Sequence, residues 1–154
     1  MTFHAQSFEA RLGSMGDTAE GVFDIVYPKH HKLGLNRPPF SVVGMGSMLR
    51  YTPDRALRDR LVEVMGLGKD RVLKLKHEKL DALIAWTMVA PVDLFVYDQT
   101  EHDYYEAPIA VWASRAHLFG EEGEFHEGKK YLGLTVDHFP STPNPAPEVP
   151  HGAP

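Results

Sequence analysis

At 154 residues the chain has the length of one domain, enough to bury roughly two-thirds of its unfolded surface without covalent staples. It contains no cysteine, which excludes a disulfide framework, thiolate zinc sites and cysteine nucleophiles. No run approaches the ~18 apolar residues of a membrane span and residues 1–20 hold no apolar leader core, so the cytoplasm is the expected compartment, while a formal charge of −5 argues at face value against a nucleic-acid coat.

Apolar residues at Phe8, Leu12, Met15, Ala19, Val22 and Phe23 predict a first helix over 8–23, with Ser7 as N-cap and Gly13 and Gly16 as weak points. A short strand is expected at Asp24 to Tyr27, then a loop holding Pro28 and His30-His31. Ser41 to Met48, rich in glycine, suits a strand or a loop approaching a ligand. Leu49 to Thr52 alternates until Pro53 ends it. Leu57 to Met65 reads as the next strand, and Gly66-Leu67-Gly68 as a turn. Val72 to Val89 carries Leu73, Leu80, Leu83, Ile84 and Met88 at helical spacing. After Pro91, Val92 to Tyr97 is a strand with Tyr104 to Ala110 as its hairpin partner, and Val111 to Phe119 is a helix ending at Gly120. Residues 121–127 read as a solvated acidic turn. The fold class that follows is α/β or α+β, one domain over 1–137 built on a mixed sheet. Residues 138–154 hold six of the twelve prolines and read as a disordered or extended tail.

The charge is not spread evenly. Between Arg50 and Lys79 lie nine basic residues and five acids, a net of +4, which leaves the remainder at −9. A basic centre in an acidic body is the footprint of a local anion-binding face. Two acids fall inside it at informative places. Asp54 follows Pro53 at a strand end, and Glu63 interrupts Leu61-Val62-x-Val64-Met65. Alternation turns Glu63 and Met65 to the sheet face opposite Val62 and Val64. A carboxylate there is costly to bury without a cation or basic partner. Together the two acids suit an oxygen-ligated Mg²⁺ or Mn²⁺.

Tyr51-Thr52-Pro53-Asp54, a short spacer, Leu61-Val62-Glu63-Val64-Met65-Gly66 and Lys74-Leu75-Lys76-x-x-Lys79 resemble the PD-(D/E)XK nucleases. More narrowly they resemble the small Holliday-junction-resolvase and RecB-type nucleases of phages and mobile elements. Gly16-Asp17-x-x-Glu20 on the first helix matches the place of that family's extra acid, and the likeness runs from about Phe8 to Trp112. The resemblance implies a restriction-endonuclease-like mixed central sheet flanked by helices, and metal-dependent hydrolysis of DNA phosphodiesters, with branched or junction DNA as the candidate substrate. It implies Asp54, Glu63 and Glu20 as ligands of Mg²⁺ or Mn²⁺, and a homodimer in the cytoplasm, the host's if phage-encoded. Arg55, Arg58, Arg60, Lys69, Arg71, Lys74 and Lys76 would follow the DNA backbone.

One position departs from the pattern. The family's acid-any-lysine motif reads Glu63-Val64-Met65, and methionine can neither orient a water nor donate to a phosphate. Lys74, Lys76 or Lys79 from the following segment would have to supply that lysine. The alternatives are a catalytically weak or silent DNA-binding protein and a small phage structural or interaction protein. The nine histidines show no metal-ligand spacing, Trp86 and Trp112 fall at core positions, and Gly44-Met45-Gly46-Ser47 is too short and lysine-poor for a phosphate loop.

Overall fold

The computed structural model describes residues 18–33 and 47–149. The Ser7 cap, Gly13, Gly16, Asp17, the first part of the expected helix, residues 41–46 of the strand or loop expected over 41–48, and the last five residues lie outside the described residues. In chain order the elements are α1 (residues 18–26), β1 (His31–Lys32), α2 (Ser47–Arg50), β2 (Arg55–Ala56), β3 (Leu61–Gly66), β4 (Val72–Lys76), α3 (His77–Trp86), β5 (Val92–Asp98), β6 (Asp103–Pro108), α4 (Ile109–Phe119), β7 (Glu121–Glu124), β8 (Lys130–Thr135), a 3-10 turn (Val136–His138) and β9 (Asn144–Pro145).

Six strands form a mixed sheet in the order β1-β2-β3-β5-β6-β9, in which β3 and β5 run parallel and the other pairs antiparallel. A second sheet, β4-β8-β7, is antiparallel throughout. The α+β class with a mixed central sheet is therefore what the chain adopts. Alternation sorts the large sheet's side chains onto two cores. Val62, Val64, Phe95 and Tyr97 pack on Ala19, Val22 and Phe23 of α1. Leu94, Val96 and Tyr105 turn the other way, with Leu61 and Met65 at the margin. They meet Leu80 and Leu83 of α3, Trp112 of α4, and the inner face of the small sheet at Leu73, Leu75, Leu132 and Leu134.

Several elements differ from expectation. Residues 24–26 complete α1 and are not strand, while Leu49 and Arg50 belong to the short α2. Residues 72–76 are a strand rather than the start of a helix. Their sequence, Val-Leu-Lys-Leu-Lys, alternates strictly, with Leu73 and Leu75 buried and Lys74 and Lys76 on the outer face. The helix begins only at His77, and Pro91 prevents its continuation into β5. Glu121–Glu124 pairs with β8 as a strand. The described part of the proline-rich segment, residues 138–149, is docked rather than disordered. Phe139 is buried edge-on against Trp112 and Tyr105, β9 pairs with β6, and Val149 reaches the α1 core.

Candidate functional site

The site grows from the antiparallel pairing of β2 with β3. Arg55 lies opposite Val62, on the α1 side, so Asp54, one residue earlier, turns to the side of Glu63. There Asp54 Oδ2 accepts the Val64 N–H at 2.9 Å, which fixes its carboxylate beside β3. Glu63 is 2% exposed. Burial pushes its carboxyl up to about 7; Lys79 opposes that rise, whereas the neighbouring Asp54 carboxyl, hydrogen-bonded to Glu63, adds to it. Lys79, in the first turn of α3, brings Nζ to 2.6 Å from Glu63 Oε2. Leu80 and Leu83 anchor that helix in the core, so the lysine is held over β3 by packing.

Met65 points the same way as Glu63 and opens onto a cavity of about 330 Å³. Tyr51, Asp70, Lys74, Lys76, Lys79 and Phe125 also line it. The missing motif lysine thus leaves an apolar wall, and Lys79 brings an ammonium to the motif's acid from the adjacent helix. Lys74 and Lys76 reach the same cavity from β4. Lys74 Nζ lies 3.1 Å from Asp70, and Lys76 Nζ lies 3.6 Å from Glu127 at the solvent edge.

Glu20 is not brought to this site. It rises from α1 on the opposite face of the large sheet, where it pairs with Arg55 Nη1 at 2.8 Å. Asp24 takes Arg55 Nε at 3.1 Å, and His30 Nε2 lies 3.1 Å from the same carboxylate. The expected set of three carboxylates is therefore two, Asp54 and Glu63. Arg55, only 4% exposed, is a structural ion-pair residue and has no free face for DNA.

Arg60 is similarly committed. Its guanidinium lies 3.0 Å from Asp93, 3.0 Å from Glu106 and 2.8 Å from Asp59, while the Tyr27 hydroxyl donates to Glu106 at 2.5 Å. Arg71 takes a left-handed conformation (φ 55°) and donates twice to the fully buried Asp98, at 2.8 and 3.0 Å. Arg58 and Lys69 are exposed. Arg58 lines a separate cavity of about 450 Å³ with Lys29, His30 and His31. Of the basic residues expected along DNA, only Lys74 and Lys76 line the cavity that Lys79 and Met65 share.

Two neighbouring carboxylates, one of them buried, suit a hard divalent cation, because Mg²⁺ commonly takes one or two carboxylates and completes its shell with water and substrate phosphate. Among the described residues no group of three or more His, Cys, Asp or Glu converges on one metal position. Asp54 and Glu63 are the two carboxylates here that could hold such an ion. Sequence reasoning missed Phe125. The available signal was a large aromatic flanked by Glu124 and His126 in an otherwise charged segment. Compared with family models, with curated proteins and with solved structures, the chain finds no match.

Proposed function

We propose that the chain is a metal-dependent DNA endonuclease whose centre is Asp54, Glu63 and Lys79. The observation that carries this reading is the 2.6 Å contact between Lys79 Nζ and Glu63 Oε2, beside the cavity onto which Met65 opens. A lysine one helix away can do what the motif lysine does, provided its ammonium reaches the same acid, and Lys79 reaches it. Asp54 and Glu63 would hold Mg²⁺ or Mn²⁺, which when bound neutralises phosphodiester charge and acidifies a water. Lys79 keeps a positive charge at the buried carboxylate and can donate to a non-bridging phosphate oxygen or a leaving oxygen. Lys74 and Lys76 attract the backbone to the cavity mouth. Two copies acting on one junction, in the cytoplasm where the DNA is, complete the reading.

Nicking of a branched DNA by the full chain in Mn²⁺, abolished in Asp54→Ala and in Glu63→Ala with folding retained, is the expected result. Activity that survives Glu63→Ala rejects the site. A second reading, a DNA-binding protein that does not cut, draws support from Met65 and from the loss of Glu20 to Arg55. It predicts salt-sensitive DNA binding with no cleavage in either metal.

A further inference from the structure

The outer face of the small sheet carries a feature that the carboxylate centre does not use. Lys74 and Lys76 project from β4 on that face, and the register sets Lys76 beside Tyr131 and Lys74 beside Gly133 on β8. Tyr131 in turn lies across β7 at Gly123, where a Cβ would fall 2.3 Å from the tyrosine ring. A side chain at position 123 would displace the ring, so glycine there lets Tyr131 lie flat over the sheet. Phe125 stands where the β7–β8 hairpin enters its turn, held by its N–H to Lys129 O at 2.8 Å. Its ring centroid is 4.5 Å from that of Tyr131. Lys76 Nζ sits 5.3 Å over Phe125, and Lys74 Nζ sits 5.9 Å from the Tyr131 centroid. Phe125, Lys74 and Lys76 line the same cavity of about 330 Å³ as Lys79 and Met65.

From this arrangement we infer that Phe125 and Tyr131 form a stacking shelf for an unpaired nucleotide of a DNA strand, with Lys74 and Lys76 on its phosphates. Interleaved cations and half-exposed aromatic rings are the chemistry that takes single strands, because every base has a π-face and every nucleotide a phosphate. A paired base keeps its faces inside the stack and cannot use the shelf, so the site selects a splayed strand, as at a fork, flap or junction, over intact duplex. The shelf lies beside Lys79, so the ordered nucleotide neighbours the scissile phosphate. The inference rests on the reading of Asp54, Glu63 and Lys79 as a DNA-cutting centre and names the form of DNA that centre takes.

Binding and cutting test it separately. In EDTA, the full chain titrated against fluorescein-labelled oligo-dT and against a hairpin duplex of equal charge should prefer oligo-dT. Phe125→Leu, which keeps the apolar bulk and loses the ring, should weaken oligo-dT binding by roughly 5- to 100-fold, and Phe125→Trp should restore it. Lys76→Gln should lower the salt dependence of oligo-dT binding by about 0.7 in the log–log slope. Equal affinity for both probes, or unchanged oligo-dT binding in both Phe125→Leu and Lys76→Gln, overturns the shelf. With Mn²⁺, a protein that cuts duplex as fast as splayed arms also overturns the shelf but leaves the carboxylate centre standing. Ring-dependent oligo-dT binding in a protein that cuts nothing supports the shelf and rejects the nuclease.

Discussion

Arg55 and Lys79 each hold carboxylates against the same large sheet, one on either face, and they do so in different ways. On the α1 face, the Arg55 fork reaches Glu20 and Asp24 through separate nitrogens, and Arg60 grips Asp93 and Glu106 likewise. A guanidinium is always charged, planar and able to bind two acids at once, which makes such clusters rigid. On the α3 face, Lys79 offers Glu63 one movable ammonium beside a cavity, and Asp54 crowds the same carboxylate. The arginine clusters tie α1 to the sheet and join β3, β5 and β6 across it, and the lysine cluster sets a buried acid against a lysine that lines a cavity. Buried charge alone does not mark a site; the kind of cation and its access to a cavity separate the two.

The sharpest way to break that comparison is to disarm each face in turn. Glu63→Gln should cut metal-dependent nicking on the order of 100-fold or more while leaving thermal stability at pH 8 unchanged or raised, since a buried carboxylate is replaced by a neutral amide. Arg55→Met should do the reverse. It strands Glu20 and Asp24, both about one-third exposed, and should cost about 2–3 kcal/mol of unfolding free energy, with nicking by the folded fraction unaltered. Denaturant titration and nicking rates on the same preparations decide it. A fall of both properties in both variants would mean that the faces are not functionally distinct.

A smaller effect sharpens the role of the helix lysine. Lys79→Met should reduce nicking about 10- to 100-fold. Met65→Lys, which writes the family's acid-any-lysine motif back into β3, should recover part of that loss in the double variant. Gel quantification of nicked branched DNA measures both. If Met65→Lys restores nothing when Lys79 is gone, Lys79 does not act in the motif lysine's place.

These outcomes bear on what the residues revealed before the fold was known. Glu63 was legible because two-residue alternation around Val62 and Val64 forces a buried acid onto one face, and Asp54 because Pro53 marks a strand boundary. Lys79 was one of three candidates that sequence could not separate, since choosing among them needed the β4–α3 boundary. Five alternating residues, 72–76, sit in a longer stretch whose leucines also satisfy helical spacing, and pairing with β8 rather than local pattern made them a strand. Glu20 was misplaced for a topological reason, because its helix covers the face opposite Glu63. The basic run gave a net of +4, yet three of its arginines are spent on Glu20 and Asp24, Glu106 and Asp93, and Asp98. Every one of those partners lies outside Arg50 to Lys79. Charge counted along a segment sees the cations and not the distant acids that neutralise them.

The mildest test reads the α1 face through pH. Burial and then the hydrogen-bonded Glu106 raise the Asp93 carboxyl to about 7, despite Arg60. Burial raises Glu106 as well, but donors from Asp93, Tyr27 and Arg60 outweigh it and leave Glu106 below the usual carboxylate range. The pair thus shares a proton below about pH 7, held between the two carboxyls. A carboxyl raised in the folded state binds its proton more tightly there than in the unfolded chain, so its stabilisation is complete below about pH 4 and drains away as pH rises through 7. Asp93→Asn keeps a donor toward Glu106 and removes the titration. The variant should gain on the wild type by about 1–2 kcal/mol between pH 5 and pH 8, a modest figure because water screens this half-buried pair. Urea midpoints at the two pH values measure it, and nicking should be untouched. A wild type that gains stability relative to Asp93→Asn between pH 5 and pH 8 would show that Arg60, rather than the shared proton, governs the cluster. In that case full ionisation would set the arginine face apart from the lysine face, where burial raises the Glu63 carboxyl to about 7, and the contrast between them would rest on charge as well as on cavity access.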